Sequence, residues 1–265
     1  MGVSAGTVAA RQHGAMEFSE APVDLHKVRT WRLGRIRRQL AQHDYAGILL
    51  FDQVNCRYAC DATNMQIWCS HYETRCVFVA ADGPMILFDY GNYPHLAEGL
   101  PLLDEYRVNT SFYYFTAGGR AAEKAEQFAA EITDLVRTYG AGNRRLAIDR
   151  LSHTGCAPLL ARGIEIMDGL EVMERARAVK SAEELVLMQC AIEVCEIGIQ
   201  QMRAALEPGI TENALWAKLH AANIAAGGEW IETRLLSSGP RTFPWSGKPR
   251  CARLKKAISS ASTPT

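Results

Sequence analysis

Several function classes have nothing to stand on in this sequence. Acidic and basic residues balance at 29 each, so no excess charge gathers nucleic acid or an anionic membrane surface. No eighteen consecutive residues are apolar, and the first twenty hold no long apolar run. A spanning helix and a secretory signal are therefore not read, no membrane partner is expected, and the cytoplasm is the expected location. No glycine-rich phosphate loop follows any candidate strand, which removes the usual nucleotide signature. The eight cysteines (56, 60, 69, 76, 156, 190, 195 and 251) are diluted over 265 residues. Even with His71 counted in, their spacing is not that of paired zinc ligands, so reduced thiols are expected.

What is present is a normal globular composition, 48% hydrophobic and 22% charged, enough for a packed core. The segment from Leu25 to His43 places Val28, Leu33, Ile36 and Leu40 at helical spacing, with six basic residues on the remaining positions. A solvated basic face is the simpler reading of that pattern. Gly47 to Phe51 is a short apolar run suited to a strand buried on both faces. Arg75 to Ala80 and Met85 to Phe88 read as two strands joined at Asp82-Gly83. Residues 106 to 115 suggest another strand. A helix follows, carrying Ala125, Phe128, Ile132 and Leu135 and stopping before Gly140, then strands at 146 to 149 and 164 to 168 around a helix from about 155 to 162. Strands alternating with helices predict an α/β fold with a mixed sheet.

The most informative stretch is Arg175 to Met188. Ser181 followed by Glu184 forms a capping-box pattern, so a helix is predicted from about Ser181. Leu185, Met188, Ile192, Cys195, Ile199, Met202 and Leu206 follow at alternating steps of three and four, an apolar stripe on one helix. Pro208-Gly209 ends it, and Thr211 caps a second helix that stops at Gly227-Gly228. A strand is expected from Ile231 to Leu236.

Arg-x-x-Lys-Ser-x-x-Glu at this joint, followed by Pro208-Gly-Ile-Thr-Glu212, resembles the creatinase and aminopeptidase P family of pita-bread proteins. Asp52-x-x-Asn55-x-x-Tyr58 is similar to the motif that follows the first strand in that family, although Ala59-Cys60 departs from its usual small residue and glycine. Glu229 to Arg234 and Ser237 to Trp245 look most like the branch that cleaves dimethylsulfoniopropionate (DMSP). Composition sets off a leader (1–24) and a basic Ser/Thr-rich tail (248–265), and the resemblance implies a creatinase-like N-terminal domain (25–174) and the first part of an α+β pita-bread domain (175–247). It also implies a homodimer, a small-molecule substrate and, in full-length relatives, two divalent metal ions held by Asp, His and Glu.

Residues 246–265 contain no Asp, Glu or His. The expectation is thus a C-terminally truncated member with no metal ligand and no catalytic residue of its own, its last segment composed like a disordered tail. Two residues are singled out for substrate contact. Trp68 and Trp245 each present an aromatic face that suits a sulfonium cation, and each equally suits packing in an interface or core. Trp245 stands where related peptidases place a histidine, and an indole has no basic nitrogen for proton transfer. The alternatives are an Xaa-Pro aminopeptidase-like fragment and a non-catalytic dimerisation module.

Overall fold

The computed structural model describes residues 23–63, 66–92, 94–229, 231, 235–243 and 248–255. They fall into two compact units that divide between Glu183 and Glu184. The leader expected before Asp24 lies almost wholly outside the described residues.

The larger unit is built on a mixed sheet. Its first helix, α1 (Leu25–His43), begins where the Asp24 carboxylate accepts the His26 and Lys27 backbone N–H groups, and it ends at Asp44 in the left-handed region, φ 54°. The chain then runs through β1 (Gly47–Leu50), α2 (Gln53–Cys60), α3 (Gln66–His71), β2 (Cys76–Ala80), β3 (Met85–Asp89), β4 (Glu105–Val108) and a single-turn α4 (Tyr114–Ala117). After these come α5 (Ala121–Tyr139), β5 (Arg145–Ile148), α6 (His153–Ala161), β6 (Glu165–Asp168) and α7 (Gly169–Ala178). Among the described residues the six strands lie in the order β4-β3-β2-β1-β5-β6. The β1-β2 and β2-β3 pairs are antiparallel, and β3-β4, β1-β5 and β5-β6 are parallel.

Every residue of β1, β2 and β3 is buried, because helices cover both faces. Phe78, Phe88, Phe112, Phe128 and Ile132 pack on one face with α5 and α6. Ile36, Leu40, Val77, Val172 and Met173 pack on the other with α1 and α7. Such double coverage is why these strands read as continuous apolar runs rather than alternating ones. The two edge strands, β4 and β6, instead carry Glu105, Arg107, Glu165 and Asp168, charges that blunt edge pairing.

Two parts of this unit differ from what periodicity predicts. The segment after β1, for which no helix is predicted, forms α2, with Ala59 and Cys60 buried in its last turn. The basic side of α1 is bound to the fold more than it is solvated. Arg29 pairs with Asp61 at 2.7 Å, Arg35 donates to the Arg175 and Ala176 carbonyls at 2.9 and 3.2 Å, Arg37 donates to the Gly83 carbonyl, and Arg32 lies over the Tyr58 ring. These carbonyls and the left-handed Asp61 come from distant elements, so local spacing held no trace of them.

The smaller unit contains most of α8 (Ala182–Ala204) and all of α9 (Glu212–Ala225). Thr211 caps α9 by accepting the Ala214 backbone N–H at 3.1 Å. The first turn of a helix has free N–H groups, and here the segment expected to be a disordered tail answers two of them. Glu212 and Asn213 donate to the Ala252 and Arg250 carbonyls at 3.1 Å each, while Gly209 and Leu254 bond to Leu254 and Ile210. Residues 250–254 are thus tied along 209–213, a correction to the tail reading there. Residues 256–265 lie outside the described residues, as do 232–234 in the expected Ile231–Leu236 strand.

Candidate functional site

In the larger unit the chemistry-bearing residues gather at two places. The first lies beneath the joint. Asp149, at the end of β5, accepts the Phe51 and Asp52 backbone N–H groups at 2.8 and 3.1 Å and the Asn55 side-chain amide at 3.0 Å. The Asn55 carbonyl in turn accepts from Arg177 at 3.1 Å, and Tyr58 donates to the Ala176 carbonyl at 3.2 Å. Burial pushes the Asp149 carboxyl up from its ordinary value, and the hydrogen bonds from Phe51, Asn55 and Asp52 oppose that. The Asp52, Asn55 and Tyr58 motif is therefore a clasp: Asp52 caps α2, and the other two fasten α2 to the end of α7, where the Arg177-x-x-Lys180-Ser181 motif begins.

The second place is an aromatic ledge. Trp68, half-buried on α3, lies 4.7 Å from the Tyr72 ring and meets the Phe115 ring edge-on at 5.7 Å. Tyr72 stacks on Tyr113 at 4.9 Å. Tyr114 and Phe115 beside them are 78% and 70% exposed. The Trp68 and Thr74 side chains also lie against the Tyr90 phenol, which burial pushes up to about 12. Ring faces of this kind attract a cation through the quadrupole. Residues 113–115 carry no signal for the ledge beyond a run of aromatics, which fits an edge strand equally well. Trp245, the other residue singled out for substrate contact, lies outside the described residues.

A further groove of about 480 Å³ runs along α1, lined by Lys27, Trp31, Arg35, Arg38, Ser181 and Glu183. Its excess of cations disfavours a positively charged ligand. Beneath β2 and β3, Arg75 pairs with Asp89 at 2.7 Å, both fully buried. This pair ties the ends of two strands.

In the smaller unit, Glu212 of the Pro-Gly-x-Thr-Glu motif is fully buried. Its carboxylate accepts from the Ser238 backbone and hydroxyl at 2.8 and 2.6 Å, from the Arg250 backbone at 3.0 Å and from the Arg241 guanidinium. Burial alone would raise its pKa; Arg241, Ser238 and the Arg250 N–H outweigh that and hold it at about 2. Glu212 thus anchors the Ser237 to Arg241 loop, and its acceptor capacity is taken up in doing so.

Among the described residues no group of three or more His, Cys, Asp or Glu side chains converges to hold a metal ion. The pair of divalent ions implied for the family does not fit the side chains described. Cys56, Cys60 and Cys76 are buried and held as thiols, burial pushing Cys60 up to about 12, which suits packing and not ligation.

Residues 32–179 match the family model described as Creatinase/Prolidase N-terminal domain. The chain belongs to this family. Two curated relatives are similar over most of the chain. The dimethylsulfoniopropionate lyase DddP of Roseovarius nubinhibens is 44% identical over 227 residues, 84% of this chain and 51% of that protein. The dimethylsulfoniopropionate lyase DddP of Roseobacter denitrificans is 43% identical over 243 residues, 89% of this chain and 54% of that protein. The chain spans about half the length of these relatives. Among solved structures, the Xaa-Pro dipeptidase of Bacillus anthracis superposes with a TM-score of 0.62 at 16% identity, covering 85% of this chain and 57% of that one. That likeness shows the creatinase/prolidase fold, and the six-stranded mixed sheet is its core.

Proposed function

We propose that the chain serves cleavage of DMSP to dimethyl sulfide and acrylate, in the cytoplasm and as a homodimer. The observation that carries this reading is the 44% identity to a dimethylsulfoniopropionate lyase over 84% of the chain. The reaction is an elimination. A base removes the proton next to the carboxylate, the carbon–sulfur bond breaks, and its electron pair leaves with dimethyl sulfide. The substrate carries a sulfonium, and the ledge of Trp68, Tyr72 and Phe115 offers uncharged ring faces to such a cation, whereas the α1 groove would repel it. The chain by itself is proposed not to catalyse the reaction, because among the described residues no group of His, Cys, Asp or Glu side chains converges to hold a metal ion. It supplies the N-terminal scaffold and the substrate-facing rings.

The test is a chimera in which residues 1–243 are joined to the downstream half of the Roseovarius relative, supplied with divalent metal. Release of dimethyl sulfide and acrylate is expected from the chimera and none from the chain alone. Cleavage of Xaa-Pro dipeptides without dimethyl sulfide would move the assignment to the peptidase branch, which the shared fold also supports. Dimethyl sulfide from the purified chain alone would remove the claim that it needs a further segment.

A further inference from the structure

Gly34 stands in the middle of α1, where the fold has no need of a glycine. Its backbone is not in the left-handed region, and a Cβ added there would meet no atom within 4 Å. Glycine inside a helix costs stability relative to alanine, so what the position gains is room. That room belongs to the groove of about 480 Å³ along α1, all of whose lining residues lie in the larger unit.

The walls of the groove are rich in donors and poor in acceptors. Lys27, Arg35 and Arg38 line it against a single carboxylate, Glu183. Arg35 is held by the Arg175 and Ala176 carbonyls at 2.9 and 3.2 Å, and its guanidinium carbon stands 5.9 Å from the centre of the Trp31 ring. Carbonyls fix the guanidinium in place without neutralising it. Arg38 is exposed and meets no carboxylate among the described residues. Lys27 reaches Asp24 at 3.7 Å, in a pair open to water. The indole N–H of the half-buried Trp31 is shut off from solvent with no acceptor among the described residues, and a buried donor without a partner is destabilising.

We infer that this groove binds a small organic anion, a carboxylate or phosphate carried on a flat apolar ring. The ring lies over Gly34 beside Trp31, and the anionic group faces Arg35 and Arg38, whose planar forks suit carboxylate and phosphate oxygens. An acceptor on the ligand answers the Trp31 N–H. A bare inorganic ion would leave most of the groove empty, whereas a cavity of this size suits an organic molecule with an apolar body. The site is apart from the aromatic ledge and prefers the opposite charge, so the inference does not depend on the DMSP reading.

Isothermal titration calorimetry of the full chain at low salt, with phenyl phosphate and with benzoate, is the test. Saturable binding to one site is expected from at least one of them, and the tighter of the two identifies the head group. Inorganic phosphate and benzyl alcohol, each lacking one half of the ligand, are expected to bind about tenfold more weakly or worse. Arg38→Ala is expected to weaken binding roughly tenfold, the loss of one charge-assisted hydrogen bond. Gly34→Leu fills the groove and is expected to abolish binding while the melting temperature holds or rises, because leucine is the better helix former. The absence of saturable heat from both ring anions overturns the site. Binding that survives Gly34→Leu, or is indifferent to Arg38→Ala, puts the ligand elsewhere and overturns it too. Inorganic phosphate binding as well as phenyl phosphate would reduce the groove to a charged surface.

Discussion

Asn55 accepts a hydrogen bond from Arg177 at 3.1 Å across 122 residues of sequence. Because the Asn55 amide also donates to Asp149, one side chain holds the end of β5, the start of α2 and the end of α7 together. Asn55→Leu is expected to leave a buried carboxylate and a guanidinium each short of a partner, lowering stability by about 1–3 kcal/mol. Asn55→Asp is expected to cost more at neutral pH, since it sets a second carboxylate against Asp149, and to recover part of the loss on mild acidification. Urea unfolding of the three proteins at two pH values checks both statements.

The buried Arg75–Asp89 pair makes a sharper prediction. Asp89→Ala leaves a guanidinium charge in a site closed to water and is expected to cost about 3–5 kcal/mol, whereas Arg75→Met/Asp89→Leu is expected to fall within about 2 kcal/mol of the parent. Equal losses in the single and the double variant would show that the strand ends need the ion pair itself. Thermal melts report the difference directly.

Glu212 governs the acid response of the smaller unit. Its folded pKa of about 2 lies below the ordinary carboxylate value of 4.5, so the folded unit binds this proton less readily than the unfolded chain. The stabilisation it brings is fully present above about pH 4.5 and is lost as the pH falls toward 2. Limited proteolysis of the Ser237 to Arg241 loop is expected to accelerate over that window. Glu212→Gln is expected to be cut quickly at all pH values and to flatten the profile.

Trp68 can be tested in the chimera. If its ring faces the sulfonium, Trp68→Ala is expected to raise KM for DMSP by roughly 3- to 30-fold, the range of a cation–π contact, and Trp68→Phe to restore most of it. An unchanged KM with a lowered melting temperature assigns the ring to packing with Tyr72 and Phe115. Both parameters come from one preparation.

Much of the fold was legible before any coordinates. The helix Leu25–His43, the fully apolar strands, the helix Ala121–Tyr139, the start of α8 just after Ser181 and the cap at Thr211 are local events, decided within a few residues by periodicity, capping oxygens and glycine stops. The helix α7 was not read, because Gly169 to Ala178 follows β6 without a loop; Asp168 ends the strand and caps the helix at once.

The candidate site was legible only in part. Trp68 was singled out by residue type, but its neighbours Tyr72, Tyr113 and Phe115 come together across more than forty residues, a distance over which spacing carries no information. The same holds for the arginines of α1, whose partners lie on α2, α7 and the β2–β3 turn.

By itself, the sequence determined the long helices and the apolar strands, the family motifs the chain carries, and the apolar stripe of α8 at steps of three and four, since each depends on short-range geometry or on residue identity. Only the tertiary structure decided that Asp52, Asn55 and Tyr58 form a clasp and that Glu212 is fully engaged in holding a loop. Those outcomes depend on which distant carbonyls, carboxylates and rings arrive at the same point, and chain folding settles that by burying apolar surface and pairing polar groups at long range.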